Sequence, residues 1–170
     1  LKIAELFNEI CEFKQIEKSE NYPDKNIRDL LKLIQEEFKN HFSGVEGQDL
    51  KVRIPGYFGH LPNVLYVCIL PERQMVSNGI YAAICFDVKG RGALVGCVGS
   101  KKISQNIKTV IRKTKNASLK IDVDGASEAT KYNNNFVNPA EFFYPLSGEN
   151  NLIQHLEESL QIAFSLLDEN

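Results

Sequence analysis

From Val64 to Val98 the chain carries three short apolar runs separated by breakers, and this block limits the possible folds more than any other feature. Val64 to Leu70, Gly79 to Val88 and Ala93 to Val98 are apolar over lengths typical of strands rather than helices. The first two are joined by PERQMVSN. The second pair is joined by KGRG (Lys89 to Gly92), a tight turn that predicts a hairpin. The middle run opens on a polar knuckle, Ser77-Asn78-Gly79, and sets small residues (Ala82, Ala83, Cys85) among Ile80, Tyr81, Ile84 and Phe86. A strand that leaves room on one face is either packed closely by another part of the protein or kept open for a guest. Alternate residues face opposite ways, so Tyr81, Ala83 and Cys85 share one face while Ala82 and Ile84 share the other.

The flanks read as helices. Ile3, Leu6, Phe7, Ile10 and Phe13 follow helical spacing, and NYPDKN (Asn21 to Asn26) then breaks the pattern and offers Asp24 as an N-cap. Ile27, Leu30, Leu31, Ile34 and Phe38 mark a second helix that ends near SGVEG. Lys51 to Ile54 alternates as a strand stopped by Pro55, and PGYFGHLPN (Pro55 to Asn63) is a loop carrying aromatics. After the strand block, Ile103 to Ile111 suggests a short helix, Leu119 to Val123 a strand and KYNNNFVNP a loop. Phe142 to Leu146 reads as a brief strand and Leu152 to Leu167 as a closing amphipathic helix. Helices, then strands with one inserted helix, then a helix predict an α+β fold, with a mixed or antiparallel central sheet covered by the N- and C-terminal helices. At 170 residues and 43% hydrophobic content, one domain spanning 1–170 can bury its own core without staples.

Charge is segregated. Residues 1–50 hold 7 Lys/Arg against 11 Asp/Glu, residues 51–120 hold 12 against 2, and residues 121–170 hold 1 against 9. A net charge of −2 therefore conceals a basic middle, and seven of its cations fall between Lys101 and Ile121 with no acid among them. Such a segment is either a solvated helix paired with the acidic ends or a surface for a polyanion. The cations coincide with the strand-rich part of the chain, which points to nucleic acid. Four cysteines without a CxxC pair (Cys11, Cys68, Cys85, Cys97) read as buried free thiols in a reducing, cytoplasmic compartment. A cysteine nucleophile would need a histidine nearby in space. His41, His60 and His155 are too scattered for a metal site, and Asp122 and Asp124 read as a solvated strand end. There is no apolar run of membrane-spanning length and no signal-peptide pattern. The first residue, Leu1, is consistent with a piece of a longer chain.

KGRGALVG has glycines one residue too far apart for a dinucleotide fingerprint, and GCVGSKK lacks P-loop spacing. With only Glu72 and Asp87 as carboxylates in the basic middle, acid–base or two-metal catalysis is hard to assemble there. What this middle does offer is aromatics threaded among cations: Tyr57, Phe58, Tyr66, Tyr81 and Phe86. Phosphates need Lys or Arg, and an unstacked base needs a flat apolar surface. Tyr81 and Phe86 also suit a core.

The residues GYFGHLPNVLYVCIL, SNGIYAAICFD and VGCVGS, spanning about Gly56 to Ser100, resemble the N-terminal DNA-binding domain of McrB, the specificity subunit of the McrBC modification-dependent restriction systems. The resemblance implies a domain that binds double-stranded DNA, reads a modified base by flipping it out of the duplex, and catalyses nothing itself. It implies no cofactor in this domain: GTP and Mg²⁺ would serve a motor domain outside these residues, through which an McrC-like nuclease subunit would be partnered. The isolated domain is expected to be monomeric. By the same resemblance, Tyr66 is the stacking wall and Cys85 a pocket residue, joined by Tyr81 and Ala83 on the same strand face. Tyr57 or Phe58, with His60, would enter the groove, and the backbone of Ser77, Asn78 and Gly79 would meet the base edge. Of the family's late aromatic, only Tyr132 is a candidate counterpart. Leu65 stands for the family's Pro, Tyr66 for its Trp and Cys85 for a Leu-like residue, which implies a changed pocket for a different modified base, or site-specific duplex readout without flipping; a reader of modified RNA is the competing alternative. Phosphate contacts are expected from Lys51, Arg53, Arg73, Lys89, Arg91, Lys101, Lys102, Lys108 and Arg112. If about six engage, binding should fall with salt at a log–log slope of about −5.

Overall fold

The computed structural model describes residues 2–16, 24–56, 61–62, 64–100 and 136–168. Helices α1 (Lys2–Ile16) and α2 (Asp24–Phe42) come first, followed by a short 3-10 turn at Val45–Gly47. Strands β1 (Lys51–Arg53), β2 (Tyr66–Leu70), β3 (Ile80–Phe86), β4 (Gly92–Gly99) and β5 (Ala140–Phe143) precede a last helix, α3 (Asn150–Asp168). The strands form one sheet in chain order, β1-β2-β3-β4-β5, with every neighbouring pair antiparallel. The fold is thus the α+β arrangement the element order predicts. The short helix and strand expected over 103–111 and 119–123 lie outside the described residues.

All three helices lie against one face of the sheet. Val52, Val67, Ile69, Ala82, Ile84, Phe86, Ala93 and Val95 alternate along their strands and share a core with Phe7 and Ile10 of α1, Ile34 and Phe38 of α2, and Leu156 and Leu160 of α3. Phe7 meets Phe86 with ring centroids 5.3 Å apart and tilted by 49°. Each such side chain, fully buried, contributes about 1.5–3 kcal/mol. Ala82 and Ala93, both fully buried, keep this side of β3 and β4 low where α3 crosses. On this face, the small residues of β3 are packed from inside.

Two local features fix the ends of the sheet. Pro145 cannot donate a ladder hydrogen bond, and the brief strand expected over Phe142 to Leu146 instead pairs earlier, with Val95↔Ala140 and Gly92↔Phe143 in register. Past Tyr144 the chain is tied to α1 by the Asn8 side chain, whose Nδ2 donates to the Leu146 carbonyl (2.9 Å) while its Oδ1 accepts from the Leu146 N–H (2.7 Å). At the opposite edge, Gln35 of α2 donates to the Val52 carbonyl at 2.7 Å. That contact satisfies an outward-facing group of the β1 edge, one means by which edge strands are kept from pairing with another chain.

Candidate nucleic-acid interface

The strand register decides which expected residues meet. On the sheet face away from the helices, Arg53 pairs with Cys68, Cys68 with Ala83 and Ala83 with Gly96, while Tyr66 pairs with Cys85 and Cys85 with Leu94. Lys51, opposite Leu70, is on the same face. Arg53 and Tyr66 are therefore diagonal cross-strand neighbours, a separation of about 7–8 Å that long side chains span. Lys51 and Arg53 are exposed, and neither side chain has a hydrogen-bond or ion-pair partner among the described residues. Tyr66 is half-buried, and its hydroxyl likewise lacks a partner among the described residues. Burial, followed by the Cys68 and Cys85 thiols beside it, pushes the Tyr66 phenol above its ordinary pKa. The chain leaves β1 at Arg53 and enters β2 at Tyr66 at this same end of the sheet; Tyr57, Phe58 and His60, between them in sequence, lie outside the described residues.

The expected recess beside Tyr81, Ala83 and Cys85 is closed. Their exposures are 4%, 1% and 1%, and they form an apolar cluster with Cys68, Leu94, Val98 and Phe136. Phe136 lies directly over Gly96, the cross-strand partner of Ala83: a Cβ on Gly96 would sit 3.1 Å from Phe136 Cδ1 and 2.8 Å from the Asn138 carbonyl oxygen. The room left by the small residues on this face is thus taken up by the protein's own Phe136. Tyr81 is core as well, with its hydroxyl donating to the Val76 carbonyl at 2.8 Å. Sequence reasoning missed Phe136 because a two-residue apolar pair, Phe136-Val137, in an Asn-rich stretch has no periodicity to register.

The knuckle expected at the base edge is also committed elsewhere. The Gly79 N–H donates to Ser100 Oγ (2.8 Å), the Gly79 carbonyl accepts from the Ser100 N–H (2.9 Å), and Asn78 and Met75 exchange backbone hydrogen bonds. Gly79 is glycine because a Cβ there would come within 2.8 Å of Gln74 Oε1 and the Met75 carbonyl oxygen. Ser77 and Asn78 are exposed, but they sit at the Ile80 end of β3, whereas Tyr66 pairs with Cys85 near its other end. At about 3.3 Å per residue, the two places are about 20 Å apart and do not form one pocket.

The described cations divide similarly. Arg73, exposed and with φ 67°, lies in the turn at the Ser77 end, while Lys89 and Arg91 lie in the β3–β4 turn at the Tyr66 end. Arg91, exposed at this turn, is held by the fully buried Asp87: Arg91 Nε donates to Oδ2 (2.6 Å), Nη2 to Oδ1 (2.8 Å) and the backbone N–H to Oδ2 (3.0 Å). Lys89 and Arg91 are exposed, but the turn between them is anchored on α1. Gly90, at φ 74°, lies against α1 so closely that a Cβ would meet the Cys11 carbonyl, and its own carbonyl accepts from Gln15 Nε2 at 3.0 Å. The Arg91 guanidinium is thus the counter-ion of Asp87, with its side chain still 46% exposed. Lys101, Lys102, Lys108, Arg112 and Tyr132 lie outside the described residues.

All four cysteines are free and buried. Burial raises every thiol, Cys11 and Cys97 to about 12, with Asp87 and Glu12 adding to the effect at Cys11. Near neutral pH they are protonated and poor nucleophiles. No cluster of three metal-ligating side chains occurs among the described residues. Two surface grooves stand out. One, of about 630 Å³ between the helices, is lined by Glu37, Glu149 and Glu157 with His41, and its charge repels a polyanion. The other, of about 430 Å³ along β1, is lined by Lys39, Lys51 and Arg53. No described helix is long and apolar enough to cross a membrane. Comparison with family models, with curated proteins and with solved structures finds no match.

Proposed function

We propose that this chain is a DNA-binding specificity domain of an McrBC-like, modification-dependent restriction system, a cytoplasmic reader that carries no catalysis of its own. In this reading GTP, Mg²⁺ and the nuclease partner act through a motor outside these residues, and the isolated domain is monomeric. The observation that carries the reading is the strand register: exposed Lys51 and Arg53, without a side-chain partner among the described residues, share a sheet face with half-buried Tyr66. Cations for phosphates next to an aromatic face form the combination that duplex contact and base stacking require. The resemblance over Gly56 to Ser100 supports the same assignment.

A second reading, duplex recognition without flipping, is favoured by the seal of Phe136 over Gly96 and by the internal hydrogen bonds of Gly79. An extruded base would have to stack on the outside of Tyr66 rather than enter beside Ala83 and Cys85. A duplex with 2-aminopurine at the target position separates the two. Flipping predicts a fluorescence rise on binding that Tyr66→Ala removes, since stacking on one aromatic is worth about 1–3 kcal/mol. Groove readout predicts tight binding with unchanged fluorescence, and absence of salt-sensitive duplex binding would end both readings.

A further inference from the structure

The groove beside β1 gathers three cations, whereas the larger groove between the helices is lined by three glutamates. It runs between the C-terminal turn of α2 and the outer edge of β1, and is lined by Lys39, Ser43, Asp49, Lys51 and Arg53 with the backbone of Gly44. Three cations against one carboxylate leave it positive. The position is notable because the C-terminal end of a helix presents unsatisfied carbonyls and about half a negative charge. Such a place ordinarily attracts one compensating cation. Lys39 and His41 already occupy the last turn of α2, so Lys51 and Arg53 add charge beyond that need.

The geometry makes those cations available together. Val52 points its side chain into the helix-side core, so its neighbours Lys51 and Arg53 rise on the other face of the same edge. Lys39 approaches from the helix side. The edge is thus straddled, with a cation from the helix layer on one side and two from the sheet on the other. Among the described residues Lys39 has only an exposed contact with Glu36, Nζ to Oε1 at 3.4 Å, and contacts of that kind are worth little. The carboxylates gather at the far end, where the Asp49 N–H donates to Glu72 Oε1 at 3.0 Å, leaving the Arg53 end, beside Tyr66, the more positive. Because Gln35 already binds the Val52 carbonyl, an added β-strand would have to displace it, and the edge suits an anion with its own geometry better than a peptide.

We propose that this groove is a phosphate cradle through which one strand of a nucleic-acid backbone tracks along β1, with Lys39, Lys51 and Arg53 as its cations and the Ser43 hydroxyl as a further donor. The proposal rests on the DNA-binding reading and extends it. It brings in Lys39, which lies in the acidic N-terminal third of the sequence, and it sets the direction of the backbone, from the α2 C-terminus toward Tyr66.

The test is fluorescence anisotropy of the full 170-residue chain with a fluorescein-labelled duplex, in methylated and unmethylated forms, titrated across NaCl concentrations. Each lost phosphate contact should shrink the log–log salt slope by about 0.9. Lys39→Gln should reduce the slope by about that amount and weaken both duplexes by the same factor, since a phosphate contact carries no sequence information. Lys39→Gln combined with Lys51→Gln and Arg53→Gln should remove about 2.7 from the slope. Circular dichroism melting confirms that the variants fold, and Lys39→Gln, an exposed change on a helix, decides the matter if the triple variant does not. Salt-dependent binding by the parent chain with an unchanged slope in Lys39→Gln overturns the cradle alone. Loss of binding to only one of the duplexes also overturns it, because that is base readout. No duplex binding by the parent chain overturns the cradle together with the reading beneath it.

Discussion

Asp87 and Arg91 show how one pair can redirect the meaning of a side chain. Read along the chain, Arg91 is a cation at the tip of a hairpin. In the fold it is the counter-ion of a carboxylate with no solvent exposure, and its backbone N–H serves the same acceptor. Replacing Arg91 with Ala would strand a buried charge, for which losses of about 3–5 kcal/mol are typical. For a chain of this size that is a fall in Tm of about 10 °C. Thermal unfolding followed by circular dichroism measures it, and a melting curve that stays in place would mean the pair is dispensable. The sequence held both residues, four apart, but an ion pair across a tight turn depends on how that turn folds back on Gln15 and Cys11 of α1. The shared side of Lys51 and Arg53, by contrast, was legible because alternation along a strand stopped by Pro55 already puts both on one face.

At the level of elements, the helical flanks, the strands and the β3–β4 hairpin were legible because each has a period or a turn signal of its own. What escaped is what fills the face across the sheet from the helices. Ala83 and Gly96 are small on adjacent strands, and the group that occupies their space arrives from residue 136, with no local cue linking them. Phe136 also belongs to a clamp. Phe136 bridges to Val98, and the Val137 N–H donates to the Cys97 carbonyl (2.8 Å). Asn138 Oδ1 accepts from the Cys97 N–H (2.6 Å), and Asn138 Nδ2 donates to Ser159 Oγ on α3 (3.1 Å). Phe136→Ala should therefore cost about 3–5 kcal/mol, measured as a shift in urea midpoint with little change in m. A loss below about 1 kcal/mol would show that the face collapses to refill the gap, and that its packing is looser than the closed cluster implies.

At the scale of the molecule, the four cysteines lie inside, while Lys51 and Arg53 lie exposed on an edge strand. The thiols give a pH signature whose sign follows from their raised pKa values. Below the ordinary value of 9.0 they are protonated in both folded and unfolded chains, and their stabilising contribution is complete. Above it the unfolded thiols ionise while Cys11 and Cys97 hold their protons to about 12, so the unfolded state binds fewer protons and stability falls across that window. Urea midpoints should drop between about pH 8 and about pH 10.5, and the drop should shrink in Cys97→Ala. Equal slopes in parent and variant would place the alkaline sensitivity elsewhere. The domain-wide charge pattern was legible from composition, but its division between two ends of β3, about 20 Å apart, needed the register.

Because spatial order equals chain order in this sheet, three of its four strand pairings join stretches that follow one another closely, and each can zip as synthesis delivers it. The fourth must wait: β4 ends at Gly99 and its edge partner begins at Ala140. Until that late stretch emerges from the ribosome, β4 has a bare flank and Leu94 and Gly96 lack their lid. The nascent chain thus passes through an interval in which a half-built sheet is sticky along one side, and the acidic terminal third that follows is what finally closes it.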